Sequence, residues 1–581
     1  MKRLICSAAL LALCHTSLPS IAQKTDLSTR YERSGGKETA TYQECISYYK
    51  QLDKQFPQIS MQEIGNTDSG FPLHLVTYSP SGDFNFSSLR KKNKRIILIN
   101  NGIHPGEPDG IDATMMLLRD LALDKKKLLD NIVLAIIPVY NIGGALNRST
   151  NFRVDQNGPE AFGSRGNAKN LDLNRDFIKA DSRNARAFHQ IYQLTDPDVF
   201  IDNHVSNGAD YQHIMTLLTT EYGKMGGEMG SFLHKEFEPG IYQLMKDKGY
   251  DLVPYVNHFG ETPDNGWITY AEGPRYSSGY TTLFHTFGFV PETHMLKPYP
   301  QRVTATYALM ECFISYVSRH SEQIKDLRNR AKEQDRTRQS FPLEWNVDTS
   351  RYSYITFKGY AAGYKPSEIS GLPRLYYDRS QPYEKKVKFY DYTVPGNFVQ
   401  KPEAYVIPQG WWNVLDILKN NNVVMHRFTQ DTVIAVETYH IADYKTVPRP
   451  YEGHYLHTGI KVTNTKDSLR FRKGDYYIPM NQLANRYLIE TLEPTGGDSF
   501  FAWNFFDAIL APKEGYSPYV FEDIAAEYFK TDKALQAQLK EKQVSDSTFA
   551  KSGSAQLHFV YERTPWAEPG YLRYPVYRVI K

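Results

Sequence analysis

The stretch IILINNGIHPGEPDGID, residues Ile96 to Asp112, decides the fold. It opens as a short unbroken apolar run that stops at Asn100 and Asn101, the pattern of a strand buried on both faces of a parallel sheet. Gly102, Pro105 and Gly106 then build a tight turn that carries His104 and Glu107, and Ala113 to Leu123 reads as a helix. An imidazole and a carboxylate, two residues between them, thus stand at the carboxyl end of a buried strand. Open α/β sheets place their ligands at that edge. Imidazole and carboxylate are also zinc ligands, as in catalytic sites with two His, one Glu and a water.

Working outward, Ile132 to Tyr140 (IVLAIIPVY) is a second buried strand. Strand, helix, strand over this interval predicts a βαβ unit with a right-handed crossover. Before it, Thr41 to Leu52 reads as a helix and residues 71–79 as a strand. After it come a long polar, Gly- and Asn-rich stretch over 143–176, a helix over Ser182 to Leu194, and a short strand, Val199 to Asp202, ending at Asn203-His204. A loop as long as 143–176 in a compact region is usually functional or disordered. A helical zone over Glu221 to Gly249, a loop-rich segment over 250–280, an apolar strand over Leu283 to Val290 and one long helix over Arg302 to Arg336 complete this part. Residues 340–480 turn rich in Tyr, Val, Thr, Gly and Pro with alternating runs, which predicts a largely β region; a helical piece, Trp412 to Lys419, is embedded in it, and Leu557 to Glu562 reads as a late strand.

These patterns predict an α/β fold with a mixed, largely parallel central sheet flanked by helices, followed by a β-rich C-terminal accessory region with some helix. The expected division is a signal peptide over 1–22, a catalytic domain over 23–339 and an accessory domain over 340–581. Lys2 and Arg3 precede the apolar run Leu4 to Leu18, and Ser20-Ile21-Ala22 is a small-x-small cleavage pattern, so the chain is expected to be exported to the periplasm or the extracellular space. No second long apolar run appears, and none is expected to cross a membrane once the signal is removed. A net charge of +3 points to neither nucleic acid nor a polybasic membrane contact. Cys45 and Cys312 could pair in an oxidising compartment or stay as two buried thiols. No zinc-thiolate spacing occurs, so a metal site has to use His and carboxylate.

Two further groups fall at expected strand ends. His204 follows FIDN, where an apolar strand turns polar, and Glu292 follows GFVP, where another stops. If these strands share one sheet, His104, Glu107, His204 and Glu292 converge at one edge, giving three ligands and a carboxylate able to take a proton from water.

The segment RGNAKNLDLNR, Arg165 to Arg175, resembles the R-x-N-A-x-G-x-D-L-N-R stretch of zinc metallocarboxypeptidases of the carboxypeptidase A/B type. Its place between an H-x-x-E pair and a distant third His, with a Glu later still, fits the same family, and the likeness covers about residues 40–325. The resemblance implies His104, Glu107 and His204 as ligands of one Zn2+ per chain and Arg165 as the group that polarises the scissile carbonyl. It implies Asn174 and Arg175 as the holders of the substrate's terminal carboxylate, Glu292 as general base and then acid, and an active-site tyrosine at Tyr276 or Tyr280, with Tyr276 preferred. An Arg fork suits that carboxylate because it binds bidentately. Asn170 stands where Gly is common; both tolerate a left-handed backbone. Pro105 and the segment VSNGADYQ after His204 depart from the family pattern.

The expected function is hydrolysis of the C-terminal peptide bond by zinc-activated water, on peptides with a free C-terminal carboxylate. The alternatives are a zinc amidase or deacylase acting on cell-wall peptides or N-acyl amino acids and, more remotely, an inactive secreted binding protein. The floor of the specificity pocket is expected from residues 277–290, where Ser277, Thr281 and Leu283 offer no charge.

Overall fold

The computed structural model describes residues 26–126 and 130–580. The expected signal segment, 1–22, lies outside the described residues. The central element is an eight-stranded mixed sheet: β1 (Ile59–Asn66), β2 (Pro72–Tyr78), β3 (Arg95–Asn100), β4 (Ile132–Ile137), β5 (Val199–Asp202), β6 (His204–Ser206), β7 (Met215–Thr219) and β8 (Phe287–His294). Their order is β1-β2-β4-β3-β5-β8-β6, with β7 on β8. The pairs β3/β4, β3/β5, β5/β8 and β6/β8 are parallel, and β1/β2, β2/β4 and β7/β8 are antiparallel. The sheet is therefore mixed and largely parallel, as the apolar runs imply.

Alternation along the central strands assigns their faces. Ile97 and Ile99 of β3 and Val199 and Ile201 of β5 join a core with the helices Tyr42–Gln55, Asp109–Ala122 and Tyr299–Arg319. Ile96 and Leu98 of β3 and Phe200 of β5 point the other way, against Phe188, Ile191 and Tyr192 of the helix Arg183–Thr195. The first of these helices starts on a capping box: Thr41 Oγ1 accepts from Glu44 N at 3.2 Å, and Glu44 Oε2 accepts from Thr41 N at 2.8 Å.

The second face does not stop at residue 339. The same apolar cluster continues into Tyr405, Val414, Leu418, Tyr487, Leu488 and Trp503. The region after residue 339 holds the hairpin Ser353–Pro366/Pro373–Tyr390, the pair Ser340–Val347/Thr393–Gln400, and a six-stranded sheet that includes Thr432–Thr446 and His457–Phe471. It is β-rich, with helices towards its end.

Three readings of secondary structure need correction. The long helix over 302–336 is two, Tyr299–Arg319 and Ser321–Thr337, separated at His320. Leu557 to Glu562 is not a strand; Gly553–Tyr561 is a helix. Ser552 caps it by accepting from Ala555 N, and Leu557, Val560 and Tyr561 bury one side of it at helical spacing. The apolar strand near 283–290 is shifted, because Ser277–Thr282 is a short helix and the strand runs Phe287–His294. Glu292 thus sits inside a strand rather than beyond its end. Cys45 and Cys312 are both free and buried. Among the described residues, no helix is long and apolar enough to cross a membrane.

Candidate active site

The strand ends bring the chemistry together. The first half of β8 pairs with β5 and its second half with β6, in one continuous register that sets Glu292 opposite His204. At the carboxyl ends of β3 and β5, Asn100 Nδ2 donates to Asp202 Oδ1 at 2.9 Å and Asn203 Nδ2 to Asn101 Oδ1 at 2.8 Å. These buried bonds fix the two ends side by side. Gly102, at φ +64°, then turns the chain back over the edge, a backbone region open to glycine at no steric cost. Glu107 N–H closes the turn on His104 O at 2.8 Å.

His104, Glu107 and His204 are buried and offer ligand atoms within 4.8 Å of one another. Glu107 Oε1 lies 3.3 Å from His104 Nδ1, and Oε2 lies 3.2 Å from His204 Nδ1. Each imidazole has a carboxylate behind it. His104 Nε2 is bonded to Asp172 Oδ1 at 2.9 Å, and His204 Nε2 lies 3.2 Å from Asp202 Oδ2. Nδ1 of both rings lies against Glu107, towards the centre, with a carboxylate behind each ring as is usual for metal-bound histidines. Two imidazoles and one carboxylate around a common point suit zinc, so the residues present fit the ion.

Sequence reasoning missed Arg153. Its Nη1 donates to Glu107 Oε1 at 2.7 Å, while Val205 N–H donates to Oε2 at 2.9 Å. Burial alone would raise the Glu107 carboxyl, but His104 and Arg153 outweigh it and hold the pKa well below the usual range. Burial also opposes charge on His204, yet Asp202, Glu107 and Glu292 keep it well above its ordinary value. Asp172 is likewise held far down by His104, Arg165 and Arg175 against the effect of burial. Glu292 differs from these. Burial pushes it up to about 8, with His204 opposing and Glu107 and Glu272 adding to the rise.

These groups border a cavity of about 370 Å³. His104, Glu107, His204, Glu292, Arg165, Asn174, Arg175 and Tyr276 all line it. The loop 163–177 reaches it through its own geometry: Asn170 takes φ +59°, and Asp172 caps the short helical turn Leu173–Arg175 by accepting from Asn174 N. Arg165 Nε donates to Asp172 Oδ2 at 3.0 Å, and its Nη1 lies 3.3 Å from His104 Nδ1. The Arg175 guanidinium stacks on the Tyr276 ring, 4.4 Å from its centroid.

Tyr280 is excluded. It is fully buried, its hydroxyl donates to Asn421 Oδ1 at 2.6 Å, and its ring stacks on His189. Tyr270 was not singled out, yet it lines the cavity and donates to the Tyr276 hydroxyl at 2.7 Å. The expected uncharged floor over 277–290 is also overturned. Ser277 and Thr281 are buried in a helix and Leu283 in the core, whereas the cavity wall includes Tyr255 and the carboxylate of Glu272.

Residues 45–216 match the family described as zinc carboxypeptidase. Over this segment the chain is similar to zinc carboxypeptidases. Carboxypeptidase 2 of Trichophyton rubrum is 21% identical over 452 residues, covering 74% of this chain and 77% of the relative. Carboxypeptidase 2 of Trichophyton equinum is 21% identical over 438 residues, covering 71% and 75%. Among solved structures, a metallo-carboxypeptidase from Burkholderia cenocepacia is similar with a TM-score of 0.37 at 18% identity, over 48% of this chain and 70% of that one. The family is one of metallocarboxypeptidases, zinc is its metal, and the His-Glu-His group is the only set of three such donors found among the described residues.

Proposed function

We propose that this protein is an exported metallocarboxypeptidase that removes the C-terminal residue from peptides carrying a free terminal carboxylate. The observation that carries the reading is the joint lining of one cavity: the His-Glu-His group, Glu292 and the Arg175–Asn174 pair all face it. A metal-donor set alone would suit many hydrolases. A half-buried Arg beside it adds a bidentate donor for a carboxylate. Export is proposed from the basic and apolar leader at the N-terminus.

His104, Glu107 and His204 would hold the ion. Zinc there would supply a Lewis acid for the scissile carbonyl, lower the pKa of a water it binds to roughly 7, and favour the ionised form of Glu292. Arg175 and Asn174 grip the terminal carboxylate and so fix the scissile bond in register with Glu292. Glu292 takes the proton from the water that adds to the carbonyl carbon and returns it to the amine as the C–N bond breaks. Arg165 faces the carbonyl oxygen as negative charge develops there; a single preorganised donor of this kind is worth about 3–4 kcal/mol. Asp172 steadies His104 and Arg165 together.

The test is a peptide series assayed with free and amidated C-termini. Hydrolysis of the last peptide bond on free peptides, with at least tenfold loss on the amides, is the expected result. Equal rates on both would favour an amidase or deacylase instead.

A further inference from the structure

We propose that the turn Tyr451 to His454, in the region after residue 340, is a working part of the carboxylate-binding end of the cavity, with Tyr451 as the positioning residue for Arg175. The inference rests on the carboxypeptidase reading of Arg175 given above. The turn joins the antiparallel strands Thr432–Thr446 and His457–Phe471, and it is stiff. Tyr451 N–H donates to His454 O at 2.8 Å, and His454 N–H returns to Tyr451 O at 3.0 Å. Glu452 and Gly453 take φ +50° and +81° between them, as a tight two-residue hairpin turn requires.

All three of its side chains reach into the catalytic half. The Tyr451 hydroxyl accepts from Arg175 Nε at 2.9 Å. Glu452 Oε2 accepts from the Asp172 backbone N–H at 2.8 Å. His454 Nε2 meets Asp181 Oδ2 at 2.6 Å, and Asp181 in turn holds Lys179 at 2.7 Å. The Tyr451 ring stacks on buried Trp503, with centroids 6.1 Å apart and planes at 23°. Arg275 lies over Trp503 at 4.8 Å and binds Asp498 at 2.7 Å.

The consequence for Arg175 is geometric. A guanidinium carries five N–H donors in a fixed plane. One is held by Tyr451 at Nε and another by Asn174 O at Nη1, 2.8 Å away. The Tyr276 ring supports the flat face. Three contacts from different parts of the chain therefore set the plane and rotation of the fork before substrate arrives, and such preorganisation lowers the entropy cost of binding. Tyr451 does not line the cavity, so it acts through Arg175. A contact made equally in the bound substrate and the transition state changes KM and leaves kcat alone.

The experiment compares Tyr451→Phe, Arg175→Ala and the double variant, each full length, on free and amidated peptides. Tyr451→Phe should raise KM for free peptides about tenfold, the size of one charge-assisted hydrogen bond, with kcat within twofold and amidated peptides unaffected. In the Arg175→Ala background, Tyr451→Phe should add nothing. If Tyr451→Phe leaves KM unchanged while Arg175→Ala raises it, the proposal falls and the carboxypeptidase reading stands. A loss equal on both peptide types, or additive with Arg175→Ala, would assign Tyr451 to general stability and overturn the proposal. If Arg175→Ala itself spares free peptides, the underlying reading fails.

Discussion

The two ends of the cavity are built on different plans. At the metal end, the donor atoms come from the turn that follows β3 and from the start of β6, both at one edge of a single sheet, and every anchoring partner (Asp172, Asp202, Arg153, Val205) lies within the first half of the chain. At the carboxylate end, Arg175 sits on a loop and takes one of its anchors from Tyr451, 276 residues further on. The difference teaches where precision comes from. Sheet register fixes His204 against Glu292 with no outside help, because neighbouring strands share hydrogen bonds along their length. A loop has no such ladder, so its charged side chain depends on a second layer of structure. The shared apolar core running from β3 into Tyr405, Leu488 and Trp503 makes that second layer integral to the molecule.

This contrast can be broken most sharply at Glu292. Glu292→Gln should lower kcat by about 10³-fold, within the range for lost general acid–base catalysis, while zinc content stays unchanged. Activity near wild type would remove Glu292 from the chemistry. Next in size, Arg175→Ala should raise KM for free peptides by about 10²-fold, as loss of a charge-assisted bidentate contact implies, and should leave the metal in place. A fall in zinc content in that variant would show that the two ends are not separable.

A smaller effect probes the junction between the halves. His189 is pushed down to about 4 by burial. Its Nε2 is bonded to Phe177 O at 2.8 Å, and its Nδ1 accepts from Asn421 at 3.1 Å. Only the neutral ring satisfies both partners. Its folded pKa lies below its unfolded value near 6.5, so the unfolded chain binds the extra proton between these two values and stability rises with pH there. The contribution is fully present above pH 6.5 and is lost as pH falls to about 4, by on the order of 3 kcal/mol. His189→Gln should flatten that part of the difference in urea-unfolding stability between variant and wild type. An unchanged acid slope would show that His189 is not the titrating group.

The same contrast explains what could be read from the sequence. The metal end was legible because buried strands are short apolar runs and their ends show as abrupt polarity: INN before His104, FIDN before His204. Arg165 and Arg175 were legible only through the family resemblance of their loop. Arg153 was hidden in the long stretch 143–176, where no periodicity singles out one Arg. Tyr255, Tyr270 and Glu272 sit in the loop-rich span 250–280, and their convergence depends on tertiary packing alone. Tyr451 carries no local signal of any kind, since its role depends on a partner nearly three hundred residues away. The misread strand at Leu557 shows the usual ambiguity of a short apolar run, which fits strand and helix alike until burial on one side decides.

The most direct test of the central claim is the zinc content of the purified full-length protein and of His204→Ala, measured by mass spectrometry of the metal with circular dichroism as a check on folding. The three-ligand site predicts about one zinc per chain in the wild type and close to none in the folded variant, since a structural complement of three donors cannot lose one without a large loss of affinity. A wild type without zinc, or a variant that keeps it, would contradict the account.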